Sequence, residues 1–472
     1  MEEYKRVLPP KEVKQINLKQ EELKKYLYQA YKNFLPYLQR GMTEYQTKNI
    51  YLPTEKGWNS YIIEIPTRYT SDFHDQIKKA NGDGIFDNLI NYLWKSRAIT
   101  KEISGKDTPP GKDAFRYFVV TMEIIPNLYN EIENSIIRKL IENNLKLSKP
   151  WISNKQLARL ANKVAYQWVN KIKTINVKFF PRSLDIGEYD YLKLSECYSI
   201  NGVTTKDICL YLSKYDEKIL KEETFGEIPL GGSIFNQGMI EIEFNVKRSL
   251  SNEKIIKRVQ EKLNIFRLSI ALVKFDTFSI GEGLIFINID DPFNSDEIKR
   301  LIRKQPNSWS SLKLNIENAE KLIDKIKKIN KWSRESNDLK RAIWRFGRAC
   351  SAETYEDQLV ESIIGMEGLV IPNSGEVRYR FSTNSTYLLQ TVDHDPENLY
   401  KEMKKLYDMR SKAVHGESDQ EIKEQSDKAI KYFIKCIDRI ISLLENNQIS
   451  DENNIAESLQ KNFYQNIPNL VI

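Results

Sequence analysis

Arg410 and His415 stand five residues apart in Leu406-Tyr407-Asp408-Met409-Arg410-Ser411-Lys412-Ala413-Val414-His415-Gly416, and His415 is one of only three histidines in the chain. Histidine titrates near neutrality and can pass a proton, whereas arginine keeps its charge and grips a phosphate through parallel N–H donors. Together they meet the needs of metal-free RNA cleavage: a base for the 2′-OH, an acid for the leaving 5′ oxygen and a cation for the phosphorane charge. On a regular helix the two side chains lie about 140° apart around the axis and about 7.5 Å along it. A phosphate could sit between them at a frayed helix end, or two copies of the helix could pool their pairs across a twofold axis. Ser411, one turn before His415, is placed either to orient the imidazole or to play no such part. Lys412 is a further candidate RNA contact.

The elements that must hold this pair are legible as helices. Leu399, Met403, Leu406 and Ala413 repeat as a core-facing stripe on which Arg410 also falls, so Arg410 needs a carboxylate partner or a cleft. Asp395-Pro396-Glu397 opens that helix with a cap, a first-turn proline and an acid that suits the dipole. Over Tyr355–Val370, Leu359, Val360, Ile363, Ile364, Met366 and Val370 share one arc, and Glu356 and Glu367 fall inside it. Buried carboxylates need partners, which Arg410 or the arginines of the Lys340–Arg348 helix would supply. A structural ion pair and a direct catalytic part are both open for these acids. In Leu339–Cys350, Leu339, Ala342, Ile343, Phe346, Ala349 and Cys350 face the core, with Arg341 and Arg348 opposite and Trp344 beside them. Arg341, Trp344, Arg345 and Arg348 are candidate RNA contacts, gripping backbone and stacking a base, or equally residues of a subunit interface.

The formal net charge is +7, and between Lys321 and Arg348 ten Lys/Arg stand against three acids, so the remainder is near neutral. Such a stretch suits a polyanion, though a solvated helix face has the same composition.

Read in order, Arg341-Ala342-Ile343-Trp344-Arg345-Phe346-Gly347-Arg348-Ala349-Cys350, Glu356-Asp357-Gln358-Leu359-Val360-Glu361, Gly365-Met366-Glu367-Gly368-Leu369, Gly375-Glu376-Val377-Arg378-Tyr379-Arg380-Phe381 and the Arg410-x4-His415 motif resemble the HEPN superfamily, specifically its Apea-like branch, associated with abortive defence against phage. The resemblance covers roughly residues 316–447. It implies an all-α bundle and a metal-independent endoribonuclease without cofactor, leaving 2′,3′-cyclic phosphate and 5′-OH ends. It also implies catalytic Arg410 and His415 in a composite cleft between the subunits of a homodimer, with a phage-derived trigger or an inhibitory partner as candidate regulators. The rival expectation is a non-catalytic dimeric nucleic-acid-binding or scaffold protein of the same fold.

The fold expected is α+β and multidomain: a mainly helical region over 1–175, an α+β regulatory domain over 176–315, the HEPN-like bundle over 316–447 and a loose polar extension over 448–472. Ile240, Ile242, Phe244 and Val246 alternate with polar residues as a half-buried strand, and Leu268–Phe278 and Leu284–Ile289 read as further β-rich runs. The N-terminus is polar, without an apolar leader, and no run approaches the roughly 20 apolar residues of a membrane span, so a cytoplasmic location is expected. The four cysteines, Cys197, Cys209, Cys350 and Cys436, have no metal-ligand spacing and read as reduced and structural. His74 and His394 belong to no metal-spaced cluster. Pro229-Leu230-Gly231-Gly232-Ser233 lacks the lysine of a phosphate loop, and Glu241-Ile242-Glu243 reads as the solvent face of a strand.

Overall fold

A computed structural model describes residues 10–41, 45–54, 57–66, 71–95, 111–125, 128, 152–179, 184–185, 191–202, 238–247, 250–274, 312–372, 375–390, 395–415, 421–450 and 454–466. Their architecture is mostly helical with a small antiparallel sheet, an α+β arrangement. Helix α1 (Pro10–Gly41) buries Leu23, Leu27, Ala30, Tyr31, Phe34 and Leu38 at helical spacing. It packs against α2 (Ser71–Gly82), α3 (Asp87–Lys95) and α5 (Asn154–Val169), and shares one apolar core with Phe115 of α4 (Lys112–Phe118). Ser153 starts α5 with a reciprocal cap: its hydroxyl accepts from the Gln156 amide while its own N–H donates to the Gln156 side chain.

The mainly helical first portion is interrupted between α1 and α2 by two strands that were not expected. There β1 (Tyr45–Thr54) and β2 (Gly57–Pro66) pair antiparallel, in register from Tyr45↔Pro66 to Thr54↔Gly57. Tyr and Ile, good strand formers, occur in both runs, with Thr in the first and Trp in the second, and only two residues join them.

Four antiparallel strands form the central sheet, in the order β3 (Ile172–Phe179), β7 (Gly238–Lys247), β6 (Tyr198–Gly202), β5 (Tyr191–Lys193). The alternation in β7 places Ile240, Ile242 and Val246 inside and leaves Glu243, Asn245 and Lys247 exposed. Two short strands, β4 (Leu184–Asp185) and β8 (Leu312–Lys313), pair in parallel. Leu268–Lys274 is not a strand: it completes α6 (Asn252–Lys274), whose residues Leu263–Leu272 are all buried. A stretch buried on every side shows no one-faced periodicity, and this one, broken by the buried polar residues Asn264, Arg267 and Ser269, is the enclosed second half of one helix.

Seven helices follow: α7 (Ile316–Glu335), α8 (Asn337–Ala349), α9 (Tyr355–Val370), α10 (Val377–Leu389), α11 (Pro396–Val414), α12 (Ile422–Glu445) and α13 (Ile455–Asn466). One continuous apolar core runs from Ile175 of the sheet through α6 to Leu459 of α13. Helix α9 lies at its centre, packed on α8, α11 and α12. The expected loose tail is instead partly the docked helix α13, with Ile455, Ala456 and Leu459 buried and the Ile455 amide donating to Asp338 at 3.1 Å. Average polarity hid an apolar spacing of one, three and four residues.

Leu284–Ile289, Pro229–Ser233 and His394 lie outside the described residues, as does the side chain of His74. Cys197, Cys350 and Cys436 are free thiols. Burial pushes the Cys350 thiol up to about 12, an inert group rather than a nucleophile. Among the described residues no helix is long and apolar enough to cross a membrane.

Candidate active site

Helix α11 is anchored at both ends and along its length. Asp395 caps it by accepting from the Glu397 amide at 3.0 Å, with Pro396 in the first turn. Leu399, Met403, Leu406 and Met409 are buried, so the stripe read from the sequence turns slightly and leaves Ala413 at its edge. Arg378 of α10 pairs with Asp408, and Tyr432 of α12 donates to Glu402. These ties set the rotation of α11 that presents Arg410, whose side chain is 25% exposed.

Arg410 Nη2 lies 3.7 Å from Glu367 Oε2, an ion pair longer than a hydrogen bond. The guanidinium carbon is 5.7 Å from the Tyr407 ring. Arg410 Nε and Glu367 Oε1 are both buried without a hydrogen-bond partner. Burial raises the Glu367 carboxyl above its ordinary value, against the pull of Arg410 and Arg345. The folded chain therefore holds a proton there that the unfolded chain releases first. Relative to Glu367→Gln, the wild type should lose stability as pH rises from about 4.3 through the elevated folded value. Denaturant unfolding of both proteins at several pH values measures this slope, and a wild type gaining relative stability over that interval would show that the carboxylate is held charged.

His415 is the C-cap of α11; its backbone N–H meets the Ser411 and Lys412 carbonyls at 3.2 and 3.0 Å, and the residue is exposed. The Ser411 hydroxyl makes no hydrogen bond to the imidazole, so Ser411 reaches His415 only through its backbone. Lys412 is exposed on the same turn.

A second constellation lies on α8 and α9. Arg345 Nη1 and Arg348 Nη2 each sit 2.7 Å from a different oxygen of Glu361, a carboxylate with 10% of its side chain exposed. Both guanidinium groups also flank Trp344, 5.1 and 4.9 Å from the ring. Arg345 acts on Glu367 as well, which makes Trp344, Arg345, Glu361, Glu367 and Arg410 electrostatic neighbours along three helices. Arg341 stands apart, 3.5 Å from Asp338.

Glu356 does not join them. It sits half-exposed in the first turn of α9 and makes no ion pair among the described residues, so the buried-pair reading is corrected to Glu361. Glu361 shares its face with Gln358, Ser362 and Gly365, polar or small residues without an apolar signal, and that face is buried against α12: Ser426 donates to Gln358 at 2.7 Å, and Gly365 lets Phe433 approach. The closely spaced small residues Ser362 and Gly365 were the available signal for close helix packing. Glu356→Ala is expected to change stability by less than about 0.5 kcal/mol. Glu361→Ala should cost about 1–3 kcal/mol, below the range for a fully buried pair because Arg348 is half exposed. Chemical denaturation ranks the two, and equal losses would put Glu356 back in the core.

Among the described residues no group of three or more His, Cys, Asp or Glu is placed to hold a metal ion. No protein-family model, curated protein or solved structure matches the chain.

Proposed function

We propose that this chain is a metal-independent endoribonuclease of the HEPN type, acting in antiphage defence, with Arg410 and His415 as its catalytic residues. The observation that carries the reading is a permanent cation seated by Glu367 one and a half turns before an exposed histidine on the same helix. His415 takes the 2′-OH proton or protonates the leaving 5′ oxygen. Arg410 stabilises the phosphorane oxygens. Base and acid must act on opposite sides of the phosphorus, so a second His415 from a twofold-related copy supplies the missing role in a homodimer. Val414, 58% exposed beside His415, gives that contact an apolar element. Trp344, Arg345 and Arg348 hold the RNA, and the residues before the bundle restrain the enzyme until a phage-derived trigger or loss of an inhibitory partner releases it.

Total cellular RNA incubated with the purified chain in EDTA should yield fragments with 2′,3′-cyclic phosphate and 5′-hydroxyl ends. Fragments carrying 5′-phosphates, or activity that EDTA abolishes and magnesium restores, would exclude this mechanism.

A further inference from the structure

The ten cations between Lys321 and Arg348 do not form one basic face. Lys321 pairs with Glu317, Lys325 with Asp438, Lys328 with Asp324 and Glu445, and Arg341, Arg345 and Arg348 with the acids named above. Arg334 and Lys340 have no ion pair among the described residues, and they flank the sharp corner at Ser336. Ser336 is both the C-cap of α7 and the N-cap of α8, its hydroxyl accepting from the Leu339 amide at 3.1 Å.

That corner closes a groove of about 650 Å³ against α6. Lys257, Lys262, Arg334, Lys340, Arg341 and Trp344 line it, with Glu261 as the one lining carboxylate. Five cations thus converge on a cavity of the size that takes a small organic ligand, roughly 300–1,000 Å³. Two of its polar groups stand without protein partners. Asn264 is 8% exposed and lines the groove, and its side-chain amide has no hydrogen bond among the described residues. The amide packs against Gly347 of α8, where an added Cβ would come within 2.1 Å of it. Lys262 is half-buried with no ion pair among the described residues, its ammonium 5.9 Å from the Tyr198 ring. Burial lowers its pKa and Arg334 adds to the effect, against the opposite pull of Cys197 and Glu261. An anionic ligand in the groove would favour the charged ammonium and give the Asn264 amide a partner. At the rim, Trp344 is 43% exposed and offers an aromatic surface.

We propose that this groove is a binding site for a nucleotide unit, with Lys262, Arg334 and Lys340 holding its phosphate, Trp344 stacking on its base and Asn264 hydrogen-bonding a base or ribose edge. Arg410 and His415 do not line the groove; Trp344 at its rim also belongs to the RNA-holding residues proposed above, and binding in the groove is measured without cleavage. The unit is either a free nucleotide or one segment of a single-stranded RNA.

The test uses the full chain carrying His415→Ala, so that cleavage cannot deplete the probe. Equilibrium dialysis with ATP and AMP, and anisotropy with a labelled trinucleotide RNA, measure affinity in this background alone and with Lys262→Met, Arg334→Ala plus Lys340→Ala, or Trp344→Ala. Saturable binding at one site per chain is expected, weakened about tenfold or more by each added change. A trinucleotide that binds about tenfold tighter than ATP identifies an RNA strand as the ligand, and the reverse order identifies a free nucleotide. The exposed pair Arg334→Ala and Lys340→Ala decides the matter if Lys262→Met lowers the melting temperature. No saturable binding of any probe, or affinities unchanged in the variants, would overturn the site. Inorganic phosphate competing as well as ATP, with Trp344→Ala without effect, would overturn its assignment to a nucleotide.

Discussion

Replacing His415 with alanine is expected to reduce RNA cleavage by about 10²–10⁴-fold, the scale of a general acid–base contribution. The fold should be unaffected, because His415 is exposed and holds α11 through its backbone N–H rather than its ring. Arg410→Ala should lose cleavage too, and it also strips Glu367 of its counter-charge in a buried setting. For that reason His415→Ala is the cleaner probe of chemistry. Mixing Arg410→Ala with His415→Ala protein forms heterodimers that hold a single His415, so a cleft that takes its base and its acid from two His415 rings should stay inactive in the mixture. Activity regained by the mixture, absent from either variant alone, would place Arg410 of one subunit in the cleft with His415 of the other and overturn the division of labour between two histidines. Wild-type cleavage in His415→Ala would reduce the motif to coincidence, and a fully active monomer would refute the composite cleft.

Two glycines of α9 should respond to the same substitution with opposite sign. A Cβ at Gly365 would lie 2.2 Å from the ring of Phe433, which is wholly buried in α12, so Gly365→Ala forces the two helices apart. Overpacking of this kind costs about 1–3 kcal/mol or more and should exceed the roughly 1 kcal/mol gained from alanine's helix propensity. At Gly368 nothing lies within 4 Å of the added Cβ, so Gly368→Ala should stabilise by about 0.5–1 kcal/mol. Both are read from denaturant midpoints at constant m-value. A stabilised Gly365→Ala would mean that α9 and α12 do not pack at the described distance. The larger consequence is functional, because α9 carries both Glu361 and Glu367 and a shift of that helix moves their arginine partners.

Helices α8, α9 and α11 were legible in the sequence because caps and apolar spacing are local quantities: Asp395 marks a start, and Leu339, Ala342, Ile343 and Phe346 mark a face. The need of Arg410 for an acid was legible for the same reason, since a charge on an apolar stripe is a local contradiction. Which acid meets it was not. Glu356 and Glu367 sit on one arc of one helix, and only the packing of α11 against that helix distinguishes them. Where the surroundings are assembled from distant elements, the one-dimensional pattern misled. Leu263–Leu272 gave no period because that half of α6 is buried on all sides, and α13 hid its apolar spacing in a polar composition. The groove joins Lys262 and Asn264 of α6 to Arg334 and Lys340 beside Ser336, residues that share no local pattern. Sequence by itself determined the amphipathic helices α8, α9 and α11 and the residues able to do chemistry, because propensity, capping and charge act over a few residues. Tertiary structure alone decided which charges are buried, which acid meets which arginine and where cations converge, because desolvation and Coulomb energy depend on neighbours that the chain brings together from far apart.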